Sequence, residues 1–269
     1  MPKFTANLGF LFTELPFAER FEAAARAGFA AVEAGKPYEL GAEAIAGLLQ
    51  TNGLSMALIN SPAGPASTGG RGLACIPGRE AEFRESIKTA LLYAGALACP
   101  RIHVLAGVAP DGIESERLYA TFIANLRFAA AAGAGHGVRM LVEGINQTDA
   151  PGYFLGRPSR AVQAIEDTAV PNLYLQFDIY HAQMTEGNLS QAIEKALPMI
   201  DHIQIADVPG RRQPGSGEIR FPYLFRLIDD LGYDGWIGCE YHPDGDTVES
   251  LKWMDGLDGR GPILWNHAS

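Results

Sequence analysis

Met140-Leu141-Val142-Glu143 is an apolar run that stops abruptly at a carboxylate and opens into the loop Gly144-Ile145-Asn146-Gln147. A short apolar run bounded by loop signals reads as a buried strand of the kind found in parallel sheets. Burying an unpaired carboxylate costs several kcal/mol or shifts its pKa, so Glu143 is placed for chemistry rather than packing. The pattern recurs in Leu173 to Asp178, in His202 to Asp207 with Gln204 inside it, and in Gly235 to Glu240. Glu143, Asp178, Gln204 and Glu240 are three carboxylates and one amide. Such oxygen donors suit a hard divalent cation, Mg²⁺ or Mn²⁺ rather than Zn²⁺. The plainer reading is that each caps a loop or pairs with an arginine.

His181 follows Asp178 by about one helical turn and is a candidate substrate contact, whereas a lone strand histidine such as His103 is more often a satisfied core residue. Arg211, in Val208-Pro209-Gly210-Arg211-Arg212, could grip a carboxylate through its planar fork, or be a solvated loop charge. Asn60, the polar end of an apolar run, completes the candidate substrate-binding set with His103, His181, Arg211 and Lys36. Glu218 could hold its own loop or start a helix. Lys36 has three possible roles: a solvated charge, a partner for a substrate carboxylate, or a Schiff-base amine. Nearby Glu33 and Glu143 favour its charged form, which points to binding rather than bond making.

The elements that must hold these residues alternate along the chain. Strands are predicted over 4–10, 29–33, 54–60, 101–105, 138–143, 173–178, 202–206 and 236–240. Helical patterns separate them, beginning at Pro16, Glu39, Arg79, Ser115, Pro158, Leu189 and Leu224, with a last one over 247–254. The 61–78 loop is long and rich in Gly, Pro and Ser, which in a compact domain often signals function. Strands joined by crossover helices are parallel, and eight such units at this length match a closed (β/α)₈ TIM barrel, one domain over 1–269 with an irregular tail after about 255. An open doubly wound sheet is the alternative, but no Gly-x-Gly-x-x-Gly follows the first strand. In a barrel the strand ends converge on one face, which would bring Glu143, Asp178, Gln204 and Glu240 together.

A formal net charge of −10 opposes a nucleic-acid partner. No run approaches the length of a membrane span, and the N-terminus does not read as a signal peptide. Cys75, Cys99 and Cys239 are odd in number and lack metal-ligand spacing, which fits reduced thiols and a cytoplasmic location.

Ala6-Asn7-Leu8, Arg71 to Arg79, Phe177-Asp178-Ile179-Tyr180-His181, Pro214 to Ile219 and Gly238-Cys239-Glu240-Tyr241 resemble the hydroxypyruvate isomerase family. That family sits among the xylose-isomerase-like barrels, beside the 2-oxo-tetronate isomerases, and the likeness runs from Phe4 to about Met254. The resemblance implies interconversion of hydroxypyruvate and tartronate semialdehyde, or of a four-carbon analogue. It also implies Glu143 and Glu240 as the acid/base pair, a divalent ion on Glu143, Asp178, Gln204 and Glu240, and possible homo-oligomers.

The chain departs from the family pattern at Ala34-Gly35-Lys36, where large apolar residues are usual. It departs again at Gly144, where proline is typical, and at His242, where Lys or Arg is common. These changes should enlarge the mouth and alter its charge. A ketose 3-epimerase or sugar isomerase with an enlarged pocket is the second expectation. Phosphodiester cleavage and a non-catalytic binding barrel are weaker ones, opposed by the acidic charge and by the intact glutamates respectively.

Overall fold

A computed structural model describes residues 2–255. Eight parallel strands close into a barrel in sequence order: β1 Lys3–Asn7, β2 Ala31–Ala34, β3 Ser55–Asn60, β4 Arg101–His103, β5 Arg139–Glu143, β6 Leu173–Asp178, β7 Ile200–Ile205 and β8 Trp236–Cys239. Closure is made by β8 against β1, with Thr5 opposite Gly238. The helices are α1 Glu19–Arg26, α2 Ala42–Asn52, α3 Glu80–Ala96, α4 Ser115–Ala134, α5 Pro158–Thr168, α6 Ile179–Thr185, α7 Leu189–Ala196, α8 Phe221–Asp230 and the single-turn α9 Thr247–Ser250. The barrel is thus the predicted (β/α)₈ architecture. Among the described residues, no helix is long and apolar enough to cross a membrane. The irregular tail predicted after about 255 lies outside the described residues.

The helices bury their apolar faces on the barrel's outside. In α3, Phe83, Ile87, Ala90, Leu91 and Ala94 recur at helical spacing and are buried, as are Phe221, Leu224, Phe225 and Ile228 of α8. Phe4, Phe225 and Trp253 meet as an aromatic cluster at the β1–β8 seam, with ring centroids 5.1 to 5.9 Å apart. Inside the barrel, at the level of the strand ends, the packing is polar instead: Thr5, Glu33, His103, Gln176, His202 and Gln204 are all buried.

Local details differ from the sequence expectation, including a first strand that ends at Asn7 rather than at residue 10. β4 ends at His103 rather than Leu105, because the Leu105 N–H donates to Ser61 Oγ instead of continuing the ladder. The first helix begins at Glu19 rather than near Pro16, since residues 8–18 form turns in which Phe12 takes a positive φ. The short α6 was not anticipated; Asp178 starts it as N-cap, accepting from Tyr180 N at 2.8 Å. One glycine allows a close backbone approach: a Cβ on Gly144 would lie 2.2 Å from the Arg157 carbonyl carbon and 2.4 Å from Pro158 N.

Candidate active site

Glu143 ends β5, Asp178 ends β6, Gln204 lies one residue from the end of β7, and Glu240 follows β8 directly. Glu143, Gln204 and Glu240 line a cavity of about 1010 Å³ at that end of the barrel. Asn60, His103, His181, Arg211 and Lys36 line it too, whereas Asp178 does not line it and is buried at the end of β6. Lys36 stands exposed at its rim.

Glu143 is buried, and its Oε2 accepts from Gln176 Nε2 at 2.9 Å. Its Oε1 has no hydrogen-bond partner among the described residues, and His181 Nε2 lies 3.8 Å away. Burial, then the neighbouring Glu240 and Asp178, push its pKa well above the carboxylate range. Burial likewise raises Glu240, to about 8, although Arg211 pulls against it. Asp178 rises to about 6 for the same reason, opposed by Arg211 and by the backbone N–H groups that it caps. Three crowded carboxyls therefore hold protons more tightly than they would in water.

His181 has a defined tautomer. Asn146 Oδ1 accepts from the N–H groups of Thr148 and Asp149, both at 2.9 Å, which fixes the amide. Its Nδ2 then donates to His181 Nδ1 at 2.7 Å, leaving the proton of the neutral ring on Nε2. Nε2 points at Asp178 Oδ2, 3.6 Å away, and at Glu143 Oε1. Burial, with Arg211 adding to it, holds His181 well below its ordinary pKa, so the ring stays neutral. His103 is also neutral, lowered to about 3 by burial, and neither of its nitrogens has a hydrogen-bond partner among the described residues.

The β7–α8 loop supplies Arg211. Asp207 anchors the loop by accepting four backbone N–H groups: Gly215 and Gly217 on Oδ2, Val208 and Ile219 on Oδ1. Asp207, rather than the candidate Glu218, is thus its main tie; exposed Glu218 pairs with Gln183. Arg211 adopts φ 56° and lies between the rings of Phe10 and Tyr180, at 4.6 and 5.1 Å. Its Nη2 is 3.3 Å from Asp178 Oδ2 and from Glu240 Oε2, and Nη1 is 3.6 Å from Asp149 Oδ2. The guanidinium is therefore engaged by the protein's own carboxylates.

Ligand atoms of Glu143, Asp178 and His181 fall within 4.8 Å of one another, a geometry that could hold a metal ion. Hard carboxylate oxygens and the unpartnered Glu143 Oε1 fit a divalent cation. His181 fits it less well, because the tautomer set by Asn146 places a proton on the nitrogen facing the carboxylates. Gln204 offers the better neutral donor through Oε1, which already accepts from Gln176 Nε2 at 2.6 Å and has a second lone pair.

At the mouth, Asn60 Nδ2 packs closely on Gly35, 3.2 Å from where a Cβ would sit. Tyr38 O–H closes on the Asn60 carbonyl. His242 packs its ring 4.8 Å from that of Phe10, and burial, with Arg211 and Arg212, lowers its pKa, so it brings no cation. Asp207, which closes the run His202 to Asp207, ties the β7–α8 loop. Gln176, His202 and Asn146 were not singled out from sequence, because nothing in their spacing separates a site-supporting polar residue from an ordinary one. Glu33 could have been, since Phe29-Ala30-Ala31-Val32-Glu33 is another apolar run ending in a carboxylate. Glu33 is buried, yet His202 and the amides of Gln204 and Asn7 outweigh that burial and hold it below the usual carboxylate range.

A closed parallel barrel with acid side chains gathered at its strand ends defines a class of enzymes that work at that face. The family model described as xylose isomerase-like TIM barrel matches residues 21–257, and the chain belongs to that family. A 2-oxo-tetronate isomerase of Cupriavidus necator is 47% identical over 260 residues, covering 97% of this chain and all of the relative. The hydroxypyruvate isomerase of Escherichia coli (strain K12) is 44% identical over 255 residues, covering 95% of this chain and 99% of its own. The chain is accordingly an isomerase. A crystal structure named AP endonuclease, family 2, from Brucella melitensis superposes with a TM-score of 0.92 at 44% identity, covering 94% of this chain and 98% of that one. A D-psicose 3-epimerase from Clostridium cellulolyticum, with a TM-score of 0.76 at 19% identity over 98% of this chain and 94% of its own, shares the fold.

Proposed function

We propose that the protein interconverts the aldehyde and ketone forms of a small 2-oxo acid, hydroxypyruvate or a four-carbon 2-oxo-tetronate, through an enediolate. The observation that carries this reading is the pair Glu143 and Glu240, two raised-pKa carboxyls facing one cavity. The names borne by relatives matched over nearly their whole length support the substrate class. Moving a carbonyl by one carbon requires taking a proton from one carbon and returning it to the next, which two flanking carboxyls can do.

Arg211 contacts Glu240 directly and not Glu143, so Glu240 ionises first and acts as the base. Glu143, the more firmly protonated of the two without a bound ion, is the partner that returns a proton to the neighbouring carbon. The neutral His181 donates Nε2–H to an oxygen of the substrate, and His103 offers a second neutral ring beside Glu143. Glu143, Asp178, Gln204 and Glu240 would hold Mg²⁺ or Mn²⁺. When bound, such an ion supplies positive charge that stabilises the enediolate and lowers the carboxyl pKa values. Lys36, exposed at the rim beside Gly35, meets the substrate carboxylate.

The test is proton exchange into hydroxypyruvate, a 2-oxo-tetronate and a panel of ketoses, followed by NMR in D₂O with and without Mn²⁺. Exchange at the carbon next to the carbonyl of the 2-oxo acids supports the reading. Exchange confined to ketoses replaces it with the sugar epimerase reading, which the large cavity favours.

A further inference from the structure

Glu33, at the second-last position of β2, reaches across the barrel interior and accepts four side-chain hydrogen bonds. Asn7 Nδ2 and Gln204 Nε2 donate to Oε1 at 2.9 and 2.7 Å. Thr5 Oγ1 and His202 Nε2 reach Oε2 at 3.0 and 2.6 Å. Space for the carboxylate comes from β8. Gly238 stands in register between Thr5 of β1 and Gln204 of β7, and a Cβ on it would lie 2.5 Å from Glu33 Oε2 and 2.6 Å from Oε1. A side chain from β2 thus fills the socket left by the missing side chain of β8.

Gln204 is an amide whose two ends differ only by what they face. Its nitrogen faces Glu33, which can only accept, and its oxygen receives Gln176 Nε2. Gln176 Nε2 also donates to Glu143 Oε2, so its orientation is fixed from the other end. Two carboxyl groups, Glu33 and Glu143, bracket two amides, and the ionised, acceptor-only Glu33 sets the polarity of the row.

We propose that Glu33 is a positioning residue that locks the Gln204 amide with its carbonyl oxygen toward Glu143, keeping that oxygen available to a bound divalent cation. The proposal rests on the cation-assisted reading of the site given above. Without the Glu33 acceptor, the Gln204 amide loses the group that distinguishes its two ends.

Two substitutions at this position separate orientation from charge. Glu33→Gln keeps an acceptor oxygen for the Asn7 and Gln204 amides, while its NH₂ can donate to the Thr5 hydroxyl and to a His202 that has switched tautomer. Glu33→Leu keeps the bulk and removes every acceptor. The first measurement is the side-chain amide NMR pair of Gln204 in the full chain, assigned by its disappearance in Gln204→Leu. This pair should keep its shift in Glu33→Gln and move in Glu33→Leu. The second is Mn²⁺ affinity by calorimetry on chelator-stripped protein, where Glu33→Leu should bind roughly 10- to 100-fold more weakly and Glu33→Gln within about threefold of the parent. Gly238→Ala, which drives a methyl into the carboxylate with Glu33 intact, should resemble Glu33→Leu and serves if that variant does not fold. An unmoved Gln204 resonance in a folded Glu33→Leu or Gly238→Ala protein overturns the proposal, as does equal loss of affinity in Glu33→Gln and Glu33→Leu. A parent protein that takes up no Mn²⁺ refutes the cation reading instead, and the amide resonance still decides the role of Glu33.

Discussion

Arg211 Nη2 stands 3.3 Å from Glu240 Oε2, and among the described residues no arginine or lysine pairs with Glu143. That asymmetry divides two otherwise similar carboxyls into the more readily ionised and the more firmly protonated. Either Glu143→Gln or Glu240→Gln should reduce kcat by at least ~10²-fold, the loss expected for a positioned acid or base. Both variants should fold, because neither side chain packs the apolar core. Steady-state kinetics on protein of verified folding checks this, and near-normal turnover in either variant would remove the two-carboxyl mechanism.

The same carboxyls make stability depend on pH. Glu240 titrates near 4.5 when unfolded but is raised to about 8 in the folded chain. Between those values the unfolded state binds fewer protons, so stability falls as pH rises. His103 acts oppositely, lowered to about 3 from 6.5, but its contribution is complete above about 6.5. In chelated protein, Tm should therefore decline from about pH 6.5 to 8, and Glu240→Gln should flatten the decline. A Tm that climbs through this window contradicts the protonated pair.

Cation dependence is tested by stripping and restoring. Exhaustive chelation should abolish most activity, Mn²⁺ or Mg²⁺ should restore it, and either ion should raise Tm, because a ligand of the native state alone stabilises it. Unchanged turnover after stripping would leave the four strand-end groups as a hydrogen-bonding cradle for substrate oxygens.

Lys36 sits at the exposed rim, so its contribution falls on capture of an acidic substrate. Lys36→Met should raise KM by roughly ten- to a hundredfold, about 1.4–2.7 kcal/mol, with little change in kcat. Borohydride trapping with a keto acid provides the opposing outcome: an adduct on Lys36 would make it a Schiff-base residue.

Asp207→Asn should disturb the Arg211 loop from a distance. An amide cannot accept all four backbone N–H groups, and one NH₂ would face two of them. The expected loss is about 1–3 kcal/mol of stability, read by denaturant unfolding. A fall in kcat should accompany it, since the loop fixes Arg211. Unchanged stability and turnover would show that the loop is held by other contacts.

The barrel was legible because its eight apolar runs alternate with helical patterns, and the strand-end acids were legible because a carboxylate closing an apolar run is costly unless used. Their supports were not. Glu33 and His202 are 169 positions apart, and their pairing exists only once β2 and β7 face each other across a closed barrel. The tautomer of His181 depended on Asn146, whose two turn N–H contacts no spacing rule displays. From sequence Arg211 reads as a fork for a substrate carboxylate or as a solvated loop charge, and its part-buried position at the cavity opposes the second. The left-handed backbone at that residue turns it inward, between Phe10 and Tyr180, onto Asp178 and Glu240.

Gly144 carries an implication for exchanging parts between relatives. The end of β5 touches the backbone at Arg157 and Pro158 so closely that even a methyl group has no place there. The proline typical of the resembling family at this position cannot be transplanted alone; the start of α5 has to move with it. The two segments should behave epistatically, and a chimera that borrows the 145–157 loop is expected to need both of its anchors from the same parent. Drift at one end is therefore conditional on the other, which makes the loop a unit of inheritance rather than a string of independent sites.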